Sequence, residues 1–341
     1  MNPWKAEGIL VKQLKPSLCV VPDKLRQHCK GKIVNAHTIS KSANLQKIAV
    51  DGHVYAFDTS MKTLMENQGK PAPKLTGVNK ASTFTGFCAH HDKTIFEEVE
   101  DQEMIFSDAQ CFKLAYRAVG RETYLKHNSV GLESLARSSD KGRPLSVQHA
   151  IQSFADSYFR GVVLGASGAT RQQDIYNEVL ISGDYSKVRK LVLRFERMPT
   201  VMASGGIFPE FDFEGRRLQR IGIDNRPLEM ITFNVIATTT GGAFVFAWIQ
   251  SSDGVACDAL AQSLSEIPAD RVTSAIIRFL FEYCENTFMA PEWWEALPTP
   301  VRAALVRRMT FAGSVFEERL SSCLKDDNFS YGDWGLIKVT H

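Results

Sequence analysis

Metal-capable side chains crowd one end of this chain. Cys19, His28, Cys29, His37, His53, Cys88, His90 and His91 all fall within the first 91 of its 341 residues. Five of the eight histidines and three of the seven cysteines are gathered there. So short a segment struggles to bury enough apolar surface to hold itself together, and a bound metal is the usual substitute. Two stretches anchor the cluster: residues 35–42, around His37, and residues 86–93, around Cys88, His90 and His91. The remainder reads as an ordinary globular core, so the informative chemistry is expected in residues 15–96.

Zinc takes four thiolate or imidazole ligands as a tetrahedron. Cys88 and His91 have the close spacing of one half-site, and Cys19 and Cys29 supply the other. His28 stands by as a substitute ligand. Cys29-Lys30-Gly31 carries the glycine that lets a knuckle turn its backbone amides toward sulfur. The nine residues between Cys19 and Cys29 exceed the two to four of a common knuckle. The alternative is a set of buried free cysteines and surface histidines.

Composition bounds the rest. The length suits two domains or one large one. No run of about twenty apolar residues exists, so no membrane partner is expected. The start, Met1-Asn2-Pro3-Trp4-Lys5, lacks a secretory layout. Seven cysteines is an odd number, and Cys111, Cys257 and Cys284 sit inside apolar patterns. Reduced thiols in a cytoplasmic protein are the expectation. The net charge of +2 hides an asymmetry. Residues 1–96 hold fourteen Lys/Arg and six Asp/Glu, a balance of +8, which leaves −6 for the remainder. A basic metal-rich module suits a polyanion such as nucleic acid. Scattered lysines that merely solubilise a small domain suit the same numbers.

The pattern predicts an α+β protein. A small zinc-stapled domain spans residues 1–100, and a larger domain of helices and antiparallel sheet spans 101–341. Residues 1–16 read as an extended entry, Lys32 to Val34 as a short strand, 38–50 as weakly helical and His53 to Phe57 as a strand after the Asp51-Gly52 turn. Residues 66–80 read as a polar loop with prolines. The acidic run at 97–101 marks the boundary. Ser107 and Gln110 form a capping box for a helix carrying Phe112, Ala115, Tyr116 and Val119. A polar loop at 137–144 precedes more helical spacing, from Val147 toward Leu164. From Val188 the period changes to two, Phe211 and Phe213 alternate likewise, and 229–250 read as a hairpin turning at Thr240-Gly241-Gly242. Helical spacing resumes near Asp270, and Pro291 breaks it before Trp293-Trp294.

The stretch around His37 and the hairpin from Cys88 to Phe96 together resemble the HNH nucleases, the His-Me finger or ββα-metal family. Members place a histidine at the end of a strand and close on a Cys- or His-rich hairpin that leads into a helix. The resemblance covers under a third of the chain. It implies a ββα-metal N-terminal domain and hydrolysis of nucleic-acid phosphodiesters, with DNA as partner and bacterial defence as a setting. In that mapping His37 is the general base. Asp92 binds a catalytic divalent ion, most simply Mg²⁺, with His90 as a second candidate ligand. Cys19, Cys29, Cys88 and His91 form the structural zinc site. The chain departs from the family at Ala36, where an acidic or imidazole ligand is common, and at Thr83, where the middle Asn usually stands. Asn44-Leu45-Gln46 resembles that middle motif but comes about forty residues early.

Other constellations read as structural. His53 begins an apolar strand after a turn and suits a hydrogen-bonded structural role. The run from Leu164 to Ala169 lacks the Gly-Lys-Ser/Thr ending of a phosphate loop and is one residue short of a nucleophile elbow. It reads as a helix end and loop. Arg216, Arg217, Arg220 and Arg226 suit either a second phosphate-contacting surface or a solvated sheet edge. The contrasting function is a non-catalytic, zinc-stabilised binding protein whose C-terminal domain recognises nucleic acid, a nucleotide, a protein partner or a second copy.

Overall fold

The computed structural model describes residues 18–224, 227–251, 254–312 and 319–341. The expected entry segment, residues 1–16, and Arg226 lie outside the described residues.

The N-terminal hundred residues contribute to two sheets. β1 (Ile33–His37) ends at the histidine singled out above. β2 (His53–Asp58) and β3 (Ala72–Gly77) form a hairpin. β4 (Thr83–Cys88) returns antiparallel to β1 and runs directly into helix α1 (Ala89–Glu100). The β1–β4 register shifts between Val34 and Ala36: Val34 faces Phe87, whereas Ala36 faces Phe84. One extra residue on β4 makes a bulge, a device that kinks a strand and re-aims its side chains. Gly86 sits there, and a Cβ on it would lie 2.4 Å from the Phe84 ring.

The expected loop at 66–80 is corrected by β3. Pro73 is tolerated because β3 is the outermost strand, the place in a sheet to which proline is largely confined. Pro73 sits opposite Phe57.

Helix α2 (Asp108–Val130) starts where the Ser107–Gln110 pair predicts, with the Ser107 hydroxyl accepting from the Gln110 N–H. The Gln110 side chain accepts from Ile105 N–H rather than from the Ser107 amide. α3 (Leu145–Ser182) then runs unbroken through Gly161, Gly165 and Gly168. The predicted helix end and loop at 164–169 is therefore wrong. Small residues there serve helix packing: Ala166 and Ala169 are buried, and the Thr123 hydroxyl on α2 donates to the Ala169 carbonyl. A Cβ on Gly168 would meet the Phe208 ring at 3.3 Å.

The period-two segments form an antiparallel sheet: β5 (Val188–Phe195), β6 (Val201–Ile207), β7 (Ile231–Thr238) and β8 (Gly241–Ile249). Helices α4 (Ala256–Ser265) and α5 (Ala269–Tyr283), strand β9 (Thr287–Met289), helix α6 (Thr299–Ala312) and strand β10 (Leu336–Thr340) follow. The eight-stranded order is β10-β5-β8-β7-β6-β9-β2-β3. The hairpin turns one residue earlier than expected, at Thr239-Thr240, and Gly241 already belongs to β8. Phe211 makes only an isolated bridge to Arg217 rather than a strand. Pro291 does not interrupt a helix. It opens a short one, Pro291–Ala296, that buries Trp294.

The central strands are buried on both faces. Leu191, Leu193, Phe233, Phe244 and Phe246 meet Phe279 and its neighbours on α5. Val192, Ile236, Val245 and Ala247 share the other core with Phe87, Phe96, Phe112 and Tyr116. The metal-rich end is built into this second core. β2 also pairs with β9, Tyr55 opposite Met289 and Ala56 opposite Phe288, so residues on both sides of position 100 share one sheet.

Candidate metal centre

The β4–α1 junction creates one half of the site. Cys88 is the last residue of β4 and the N-cap of α1, and His91 lies in the first helical turn. A spacing of three within such a turn brings side chains onto one face. The Cys88 Sγ is 3.3 Å from His91 Nδ1.

The other half arrives along a separate segment. Val20 N–H donates to the Gly86 carbonyl at 2.9 Å, laying Cys19 beside β4. The helical turn Asp23–Arg26 then folds the chain back, with His28 N–H on Leu25 O and Cys29 N–H on Arg26 O. That turn absorbs the nine intervening residues, which is why the long spacing still closes a site. Gly31, at φ +76°, redirects the chain into β1, a conformation that favours glycine.

Four ligand atoms converge. The Sγ atoms of Cys19 and Cys29 each lie 3.5 Å from His91 Nδ1, and all four ligand atoms fall within 4.8 Å of one another. A tetrahedral zinc with ordinary Zn–S and Zn–N bonds requires S···N edges of about 3.6 Å. The arrangement is therefore compatible with a structural metal such as zinc. Cys19, Cys88 and His91 are buried, and Cys29 is exposed. His28 is exposed beside Gln27 and is not among the converging groups.

The surroundings act on the three thiols in different directions, and burial raises Cys29 as it does Cys19. Cys88 N–H points at Cys19 Sγ at 3.4 Å. Burial pushes the Cys19 thiol up to about 12 in the absence of an ion. At Cys88 burial also acts upward, but backbone N–H groups of His91 and Lys30 outweigh it and the thiol is lowered. Burial lowers His91, which keeps its imidazole neutral and able to ligate. All seven cysteines are unpaired, as the odd count suggested.

A second constellation lies on the same scaffold. The half-buried His37 ring places Nε2 3.2 Å from the Val78 carbonyl. A carbonyl only accepts, so the neutral ring carries its proton on Nε2 and keeps the Nδ1 lone pair free. Asp92, one residue past the His91 ligand, has an Oδ1 that is fully buried and without a hydrogen-bond partner. Burial raises its pKa, Arg117 opposes, Glu100 adds to the rise, and His37 opposes. His90 precedes Asp92 by two residues on α1, about 200° away around the helix axis, so the two side chains leave on different sides. Among the described residues no hydrogen bond or ion pair joins His90 to Asp92 or His37.

Arg117, on α2, is the component that sequence reasoning missed. It is 2% exposed, stacks 3.9 Å from the Phe96 ring centroid and pairs with Glu100 at 2.8 Å. The only signal was a cation within the apolar stripe of α2. Of the remaining candidates, His53 Nδ1 lies 2.7 Å from the Asp51 carbonyl oxygen, Arg216 pairs with Asp212 and Glu214, and the Arg217 guanidinium lies over the Phe211 ring. Among the described residues no helix is long and apolar enough to cross a membrane. In comparisons with known proteins the chain matches no family model, no curated protein and no solved structure.

Proposed function

We propose that the Cys19, Cys29, Cys88 and His91 centre holds a structural zinc ion and that the unit it staples is a metal-dependent nuclease acting on DNA. The observations that support this reading are an oriented imidazole, His37 on the Val78 carbonyl, and a carboxylate whose buried oxygen lacks a partner, Asp92. His37 lies between the two halves of the zinc site in sequence, and Asp92 directly follows His91 on α1, so the staple would hold the start of α1 against the segment that leads into β1.

An orphaned carboxylate oxygen suits a hard divalent cation such as Mg²⁺. Bound there, the ion would stabilise negative charge on a phosphodiester. His37 Nδ1 accepts the proton of the attacking water, and the Val78 carbonyl holds the ring in the tautomer that permits this. Arg117 adds positive charge near Asp92.

The contrasting reading is a non-catalytic, zinc-stabilised nucleic-acid module. It is favoured by Ala36, buried and without a ligand atom where the nuclease family often has one. Incubation of plasmid DNA with Mg²⁺ or Mn²⁺ separates the two. Wild type should cleave, and His37→Ala and Asp92→Asn should each lose about 10²–10⁴-fold in rate. Equal cleavage by wild type and both variants contradicts the assignment. No cleavage together with salt-dependent DNA binding selects the second reading.

A further inference from the structure

The four ligands of the metal centre are unequally shielded. Cys19, Cys88 and His91 are 9%, 2% and 3% exposed. Cys29 is exposed, as is every residue from Arg26 to Lys32. Solvent therefore meets one thiolate of the site, and the other two sulfurs lie behind it. The Sγ atoms of Cys19 and Cys88 are both within 4.8 Å of the Cys29 Sγ.

No other cysteine of the chain is placed in this way. Cys111, Cys257, Cys284 and Cys323 are buried, and burial pushes the Cys111 and Cys284 thiols up to about 12. Thiols held protonated are poor nucleophiles. A coordinating thiol, by contrast, is deprotonated outright, so bound zinc holds Cys29 in its reactive form at neutral pH. An accessible thiolate beside a second cysteine is the arrangement of an oxidation-sensitive pair. The local structure does little to keep the site closed once a ligand is lost, since the helical turn Asp23–Arg26 buries no residue.

We propose that Cys29 makes this centre a peroxide-sensitive metal switch, in which two thiolates are oxidised to a disulfide, the ion is released and residues 18–32 lose their anchor. The switch rests on the zinc reading given above and is independent of the nuclease reading. The Cys29 thiolate attacks one oxygen of hydrogen peroxide; the O–O bond breaks, hydroxide leaves and a sulfenic acid forms. The thiolate of Cys19 or Cys88 then attacks the Cys29 sulfur; the S–O bond breaks and a second hydroxide leaves. Both hydroxides take up protons as water. Sulfur is oxidised, peroxide is reduced, and two thiolates have become one disulfide. Closure from at most 4.8 Å to the roughly 2.0 Å of an S–S bond requires a shift that a weakly anchored segment can make. The thiolate is the form of cysteine that ligates, so two of the four ligands are lost together.

Zinc release from the full chain tests this. The zinc content is measured first, and hydrogen peroxide is then added in the presence of a zinc-sensitive dye. Wild type should release its zinc and rebind it after a thiol reductant. Peptide mapping at partial release should find Cys29 joined to Cys19 or Cys88, with the four buried cysteines still reduced. Cys29→His keeps a ligand at the exposed corner but removes the thiolate, and should release zinc about tenfold more slowly. If that variant does not hold zinc, the disulfide map of the wild type decides. Zinc present at the start and retained under peroxide overturns the switch and leaves the zinc assignment standing. Equal release rates from wild type and Cys29→His overturn it too, as does irreversible release with no disulfide at Cys29. A chain that holds no zinc before peroxide is added contradicts the zinc assignment itself, and the switch falls with it.

Discussion

Removing the metal should unfold one short segment and leave the rest of the protein standing. The segment runs from residue 18 to residue 32, fifteen residues in all. Ordering a residue's backbone costs about 1–2 kcal/mol, so the segment must recover roughly 15–30 kcal/mol. Its own gains are small. Cys19 and Val21 are its only buried apolar side chains, and the helical turn Asp23–Arg26 buries nothing. Those two contribute about 4 kcal/mol, and partial burial of Val20 and Leu25 about 2 more. Three backbone hydrogen bonds tie it to β4 and α1: Val20 N–H to Gly86 O, Ala89 N–H to Lys32 O, and His90 N–H to Lys30 O. They add about 3 kcal/mol. The segment therefore falls short by roughly 6–21 kcal/mol, a range that brackets the roughly 10–16 kcal/mol that structural zinc supplies in small zinc domains. β1, β4 and α1 differ, because Phe84, Phe87 and Phe96 anchor them in the shared core. Hydrogen-exchange mass spectrometry before and after a strong chelator checks this. Peptides covering 18–32 should lose all protection, while α2, β7 and β8 keep theirs. Unchanged protection in 18–32 after complete metal removal would refute the reasoning. Global unfolding would refute the claim that the loss is local.

Two further outcomes follow from the wider fold. Asn44 is buried, and its Oδ1 accepts from Ala237 N–H at 2.7 Å, joining the segment after His37 to β7; Asn44→Ala should cost about 1–3 kcal/mol in denaturant unfolding, whereas Asn44→Asp, which keeps the acceptor, should cost less. At Asp58 burial acts upward but is outweighed by the Ser60 N–H and the Lys74 ammonium, which hold the carboxyl at about 2, below its ordinary 3.8. A depressed carboxyl stabilises the fold above the unfolded-state value and loses that contribution as pH falls from 3.8 to 2; Asp58→Asn should therefore lower stability at pH 7 by roughly 1–2 kcal/mol and flatten the acid limb of the pH–stability curve in that window.

Local patterns were the legible part. The hairpin of β7 and β8, the Ser107 cap and the apolar face of α5 each follow from residues close in sequence. The convergence of Cys19, Cys29, Cys88 and His91 was legible too, because Cys88 and His91 are fixed by one helical turn and thiol chemistry nominates the other two. What local pattern does not carry is pairing across long separations. Nothing near Tyr55 announces Met289 as its neighbour, so the strand at His53 to Phe57 was expected in a small domain and is found, paired with β3, at one end of the large sheet. The glycines at 165 and 168 misled for a related reason. Their cost in an isolated helix is real, but the close approach of α2 and Phe208 outweighs it, and those partners are distant in sequence. Arg117 was illegible because a cation in an apolar stripe is informative only once Phe96, Glu100 and Asp92 are seen around it.

The proposed zinc at Cys19, Cys29, Cys88 and His91 underlies both the folding of residues 18–32 and the position of α1. Metal analysis of the purified chain, combined with X-ray absorption at the zinc edge, should find one zinc per chain bound by three sulfurs and one nitrogen, with the content falling sharply in Cys88→Ala. A chain that carries no metal after expression in zinc-replete medium, or an ion held mainly by oxygen, would contradict it.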